Sequence, residues 1–183
     1  MTTTHELANP TTEAAANVAE YLATGYIALS CAAITAEQLV ACDPSYAGTA
    51  GWDLQTGILD AATDVENAAR VHDLSQHHGF WKDPQPPTRA LTVLASHHTQ
   101  DPQSTARWLV VELSAAFTHL TRAAEHAETL VTAGHCYDHH HGYVGGLGWD
   151  LQTAIDDAII ALRDTMRVNN LATINPEFWA DKL

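Results

Sequence analysis

The sequence predicts an all-α fold: a four-helix bundle made of two tandemly duplicated helical hairpins, with a short extra helix in the connecting segment. Three observations carry that prediction. The hexamer Gly51-Trp52-Asp53-Leu54-Gln55-Thr56 returns unchanged as Gly148-Trp149-Asp150-Leu151-Gln152-Thr153, 97 positions later, and chance does not readily repeat a hexamer that contains tryptophan. The match continues at the same offset with Ile58 and Ile155, Asp60 and Asp157, Ala61 and Ala158, Arg70-Val71 and Arg167-Val168, and Leu74 and Leu171. After a one-residue slip, Phe80-Trp81 corresponds to Phe178-Trp179. Finally, apolar residues recur at helical spacing through most of the chain, whereas β-branched alternation is scarce.

In chain order, the first helix opens at Thr11-Thr12-Glu13, places Val18, Leu22, Leu29, Ala33 and Val40 on one broad face, and closes at Asp43-Pro44. A second runs from Trp52 to His78 with Leu54, Ile58, Ala61, Val65 and Ala68 on its stripe, and Gly79 stops it. The segment 79–102 opens as a linker with Asp83-Pro84-Gln85-Pro86-Pro87, and Thr88 to His98 suits a short helix packing Leu91 and Leu94 on the bundle. The third helix begins after Asp101-Pro102, carries Leu109, Leu113, Ala116, Leu120, Ala123, Ala127 and Leu130, and ends at Gly134. The fourth sets Leu151, Ile155, Ala158, Leu162 and Thr165 where the second has its stripe. Ala36-Glu37-Gln38-Leu39-Val40 reads against Ala127-Glu128-Thr129-Leu130-Val131, which relates the first helix to the third. A single domain thus divides into a hairpin (1–78), a linker (79–102) and a second hairpin (103–183). Stacked face to face, the hairpins bury both stripes in a pseudo-twofold bundle, with the linker long enough to start the second hairpin at the same end.

At 183 residues the chain buries roughly 70% of its unfolded surface and needs no disulfides to supplement its core. Cys31, Cys42 and Cys136 are an odd number at no framework spacing, which suits a reducing compartment. Residues 1–20 carry no basic start followed by an apolar block, and polar residues interrupt the apolar stretches early, so the expectation is a cytoplasmic protein without a membrane span. The chain holds 22 acidic and 8 basic residues, net −14 with its 12 histidines neutral. That excess opposes direct nucleic-acid binding and leaves a basic partner, a cation, or mimicry of nucleic-acid charge.

Within the repeated hexamer, Gly51 and Gly148 suit a sharp turn, Asp53 and Asp150 suit helix capping, and Trp52 and Trp149 suit anchors over the core. Structure accounts less well for Gln55 and Gln152, which suit a hydrogen bond across the pseudo-twofold axis or a partner contact. Asp53, Asp60 and Asn67 lie seven apart, as do Asp150, Asp157 and Asp164, and Asp64 joins the first row. On a helix each row runs along one flank, roughly 100° from the apolar stripe. Asp60, Asp64, Asp157 and Asp164 are therefore candidate partner-binding residues, forming two docking strips for a basic protein. Tyr46, Trp52, Tyr143 and Trp149 would supply apolar anchors. A solvated charged face is the plainer alternative.

The candidate metal ligands are His135, Cys136, Asp138, His139, His140 and His141, in a loop six residues longer than its counterpart at Cys42-Asp43-Pro44-Ser45-Tyr46. Zinc, or another transition metal such as nickel or copper, would choose such donors, although no Cys-x-x-Cys pair accompanies them. His77-His78 and His97-His98 are expected at the opposite end of the bundle from that loop. A dimetal carboxylate bundle needs inward glutamates and Glu-x-x-His on two helices. Glu112, His119 and His126 do align at seven-residue spacing, yet Glu125-His126 has the wrong spacing and the repeat retains neither histidine, so core-edge histidines satisfied by neighbours fit better. Gly145-Gly146-Leu147-Gly148 lacks the lysine of a nucleotide site, no Gly-x-Ser-x-Gly elbow occurs, and Cys31 sits mid-helix as a small core residue.

These readings converge on a non-catalytic acidic helical bundle, needing no cofactor, that binds a macromolecule, a protein, in a regulatory, assembly or inhibitory role. Two alternatives stand beside it: a metal-binding or metal-dependent bundle using the His135–His141 loop, and a homo-oligomeric scaffold associating through faces such as Ala14-Ala15-Ala16.

Overall fold

Among the described residues the structure, a computed structural model, is entirely helical; it describes residues 10–47, 54–84, 101–132 and 151–183. Four long helices, α1 (Pro10–Cys42), α2 (Leu54–Val71), α3 (Pro102–Thr132) and α4 (Leu151–Val168), are joined by a one-turn α5 (Pro176–Trp179) and several 3-10 turns. Helix α1 packs on α2 and α3, and α4 closes the ring by packing on the same two. The expected extra helix at Thr88–His98 and the turns carrying Gly51-Trp52-Asp53 and Gly148-Trp149-Asp150 lie outside the described residues.

Burial follows the apolar spacing. Leu22, Leu29 and Leu39 of α1, Leu54 and Ile58 of α2, Leu109, Leu113, Leu120 and Leu130 of α3, and Leu151 of α4 are fully buried. Helix α1 ends at Cys42 because Asp43 precedes a proline, which disfavours helical backbone there; the Asp43 carboxylate accepts a hydrogen bond from Ser45 N at 3.0 Å instead. At the start of α3, the Asp101 carboxylate accepts from Ser104 N at 3.0 Å and Gln103 N at 3.4 Å, satisfying amides that have no partner within the helix. Alanines at 15, 19, 32 and 36 of α1 are buried and let neighbouring helices approach. Gly25 of α1 serves the same end: an added Cβ there would lie 3.1 Å from Leu120 Cδ2. By length and composition the segment Thr12–Cys42 is apolar enough to cross a membrane, contrary to the expectation from its polar interruptions. Its leucines are spent on the bundle core.

The chain directions correct one expectation. Tyr21 of α1 touches His126 of α3, while Cys31 and Thr35 face Glu112, so α1 and α3 are antiparallel. Helices α2 and α4 are antiparallel as well, with Gly57 against Thr165 and Asp64 beside Asp157. The second hairpin therefore starts at the end opposite the start of the first. The C-termini of α2 and α3 consequently share one end of the bundle, marked by Trp81 on Ala19 and His126 on Tyr21. His77 and His78 thus stand at the end where α3 finishes, and the predicted separation from the segment after Thr132 does not hold for the flanking helices. Helix α2 also stops at Val71 rather than His78, because Asp73 adopts a left-handed backbone (φ 50°). Asn170, 97 residues later, does the same (φ 54°) after α4.

Each left-handed residue folds an aromatic pair back onto its own hairpin. Buried Leu74 and Leu171 follow directly. Then the Trp81 indole N–H donates to Ala19 O at 2.8 Å, and the ring meets Tyr26 and Phe80 edge-on at 5.9 and 5.0 Å. Trp179 meets Phe117 and Phe178 edge-on at 5.1 Å each. Its N–H donates at 3.1 Å to the Ser114 hydroxyl, which donates at 2.7 Å to Val110 O. Phe117 follows Tyr26, and Val110 follows Ala19, by 91 residues, so the two clasps occupy corresponding places, with a hydroxyl inserted in the second.

Candidate functional site

Two features stand apart from ordinary core and surface: an acidic strip between α2 and α4, and a polar seam between α1 and α3. The strip arises because helical spacing puts Asp60 and Asp64 one turn apart on α2, and the antiparallel crossing brings Asp157 of α4 to them. Burial, then Asp157, then Asp60 push the Asp64 carboxyl above its ordinary value. Among the described residues no cation pairs with any of these three. Asp164, the fourth predicted member, forms an ion pair with Arg167 at 2.6 Å on its own helix. Asn67, in line with Asp60, accepts from Arg70 at 2.9 Å. Exposed Val71 and Val168, at corresponding positions, add apolar surface at the ends of α2 and α4.

Gln55 is not part of that strip. It lies on the opposite flank of α2, lining a cleft against α1 with Tyr26, Ser30 and Glu66, so a hydrogen bond across the α2–α4 axis is not what holds it. Gln152 is half-buried at the corresponding position. His135, Cys136, Asp138, His139, His140, His141, Trp52, Tyr143 and Trp149 lie outside the described residues. Among the described residues no group of three or more His, Cys, Asp or Glu side chains is placed to hold a metal.

The α1–α3 seam carries more buried polar chemistry than the spacing of Glu112, His119 and His126 suggests. Both Glu112 carboxyl oxygens are fully buried and meet no hydrogen bond of ordinary geometry among the described residues. Burial pushes the carboxyl up from 4.5 to about 7, and the facing Thr35 hydroxyl restrains the rise. That hydroxyl already donates to Cys31 O at 3.2 Å. Buried Cys31, raised by burial and then by the Glu112 charge, completes this end. At the other end the His126 ring stacks on Tyr21 at 5.5 Å and 11°, with the Arg122 guanidinium carbon 5.8 Å over the same tyrosine. His119, between them, has a fully buried Nδ1 without a hydrogen-bond partner among the described residues, and burial, then Arg122, lowers its pKa.

Glu112 follows Tyr21 by 91 residues, as His126 follows Thr35 and Arg122 follows Cys31. The two ends of the seam therefore correspond in place and differ in chemistry: acid and thiol at one, imidazole, phenol and guanidinium at the other. A carboxyl titrating about 7 has the acidity a general acid or base needs. Two clefts lie between Tyr26 and Glu66 and between Asp73 and Lys82, and Glu112 lines neither. It lies instead where α1 packs on α3, facing Thr35 and Cys31. No protein-family model matches the chain, and no curated protein or solved structure is significantly similar to it.

Proposed function

We propose that this is a non-catalytic acidic bundle, built by tandem duplication of a helical hairpin, whose α2–α4 face binds a basic protein partner in a regulatory, assembly or inhibitory role. The supporting observation is that Asp157 of α4 stands beside Asp64, one turn from Asp60, where burial first and then these two charges raise the Asp64 carboxyl, with no cation paired to the three among the described residues. Carboxylates held together repel one another, and a lysine- or arginine-rich surface laid across α2 and α4 would relieve that repulsion and speed encounter. Exposed Val71 and Val168 would add apolar contact beside the charge. The net charge of −14 favours the same class of partner. Duplication is supported by the repeated hexamer and by the paired clasps, in which corresponding residues make corresponding contacts.

The test is capture of partners by wild-type protein and by the Asp60→Lys, Asp157→Lys double variant, with helicity followed by circular dichroism. A basic protein retained by the wild type and lost by the variant, at unchanged helicity, is the expected result. Equal capture by both proteins would refute the strip.

A further inference from the structure

We propose that the cleft between α1 and α2 binds an organic cation, a guanidinium or alkylammonium group carried by a small molecule or by a basic side chain. The inference stands apart from the acidic strip, because the cleft lies on the other flank of α2 from Asp60 and Asp64. Its volume is about 300 Å³, with Tyr26 and Ser30 contributed by α1 and Gln55, Leu59, Ala62 and Glu66 by α2. That is room for a planar cation on a short alkyl stem, at the lower limit of ordinary ligand pockets.

The corresponding place in the second half holds a cation of the chain's own. Phe117 follows Tyr26 by 91 residues and Arg163 follows Glu66 by 97. The Arg163 guanidinium carbon lies 5.4 Å over the Phe117 ring, a cation–π contact supplied from within the chain. In the first half the aromatic ring remains as Tyr26, braced edge-on by Phe80 and Trp81 at 5.8 and 5.9 Å, but the arginine is replaced by a carboxylate. Tyr26 donates its hydroxyl to Glu66 Oε2 at 3.5 Å, and no cation pairs with Glu66 among the described residues. Where the second half has an internal cation the first has a carboxylate; Arg70 and Lys82 line the neighbouring cleft with Glu66, but neither pairs with it. Carboxylate, phenol and amide together with the apolar Leu59 and Ala62 in one lining match a charged head on an apolar stem. The amide recurs in both halves, as Gln55 and Gln152. An anionic ligand would meet Glu66, and a neutral one would leave it unpaired.

The test is a calorimetric and NMR titration of the full chain with n-propylguanidinium, its neutral isostere n-propylurea, and an arginine-containing hexapeptide. We expect saturable binding of the guanidinium at one site, with shifts at Tyr26 and Gln55 and none from the urea. Glu66→Gln should weaken it roughly tenfold, as loss of a charge-assisted hydrogen bond does. Glu66→Arg, which recreates the arrangement of the second half, should abolish it, while Glu177→Gln, at an exposed carboxylate of α5, should leave it unchanged. Binding by the small cation alone identifies a free ligand; a tighter peptide, displaced by propylguanidinium, identifies a partner's side chain. Equal affinity for the urea, unchanged affinity in Glu66→Gln, or no binding of either cation at about 10 mM, weaker than any useful recognition, overturns the proposal.

Discussion

Replacing Glu112 by glutamine isolates the energetic consequence of burying a carboxyl between α1 and α3. In the fold this group titrates at about 7 rather than 4.5, so its ionisation at high pH opposes folding. At about 1.4 kcal/mol for each pH unit between the two values, the opposition reaches roughly 3 kcal/mol, a large part of the 5–15 kcal/mol typical of a domain. The sign follows from which state holds the proton. Below 4.5 both states are protonated and nothing is lost; between 4.5 and 7 the unfolded chain releases its proton first and stability falls. Above 7 the loss is complete. Urea denaturation followed by circular dichroism from pH 4 to pH 8.5 should show Glu112→Gln gaining on the wild type as pH rises, by about 3 kcal/mol at the alkaline end. His119 titrates in the opposite sense: burial lowers its pKa, so its contribution is present above its unfolded value of 6.5 and lost on acidification. It is common to both proteins and cancels in the difference curve. A difference that stays constant with pH would refute the assignment of the titration to Glu112.

Three further substitutions test the packing. Trp179→Ala should cost about 3–5 kcal/mol, because the ring is fully buried and its N–H bond to Ser114 is lost; a cost below about 1 kcal/mol, as at an exposed site, would show that the clasp does not hold α5 down. Gly57→Ala places a methyl against the Thr165 hydroxyl and should cost about 1–3 kcal/mol. Thr165→Ala in the same chain should recover most of that, whereas additive losses in urea denaturation would mean the two sites do not touch. Asn170→Gly should raise the melting temperature, with up to about 1 kcal/mol gained by relieving the left-handed backbone; a fall would assign the asparagine side chain a stabilising contact.

The four long helices were legible because their stripes repeat at helical spacing and their starts and stops carry proline, aspartate or glycine. The end of α2 was not legible. Asp73 is an unremarkable residue in a helical pattern, and only the return of Trp81 to Ala19 fixes the turn. Chain direction was hidden for a related reason: two similar apolar stripes pack equally well on paper whether α3 runs along α1 or against it. The acidic row was visible as spacing on each helix, but its convergence on Asp64 depends on the α2–α4 crossing. Glu112 sat in plain view at seven-residue spacing with His119 and His126, beside the apolar stripe. Nothing in that spacing distinguishes a flank turned to water from one pressed against another helix. Glu66 carries no signal in the sequence, and only Arg163 at the corresponding place over Phe117 marks it.

The clasps have a consequence for assembly. Trp81 and Tyr26 close within the first hairpin, and Trp179, Phe117 and Ser114 close within the second, so neither clasp crosses between the halves. What joins the halves is helix-on-helix packing plus the covalent link through residues 83–101. On the duplicated-hairpin reading proposed above, such a chain would behave as a tethered dimer, its halves meeting at the millimolar effective concentration that a short connection imposes. The same surfaces can be satisfied by the hairpins of a second molecule once protein concentration rivals that figure. The balance between a closed monomer and an exchanged pair would then be set by mass action and by the length of the link, with no new contact required.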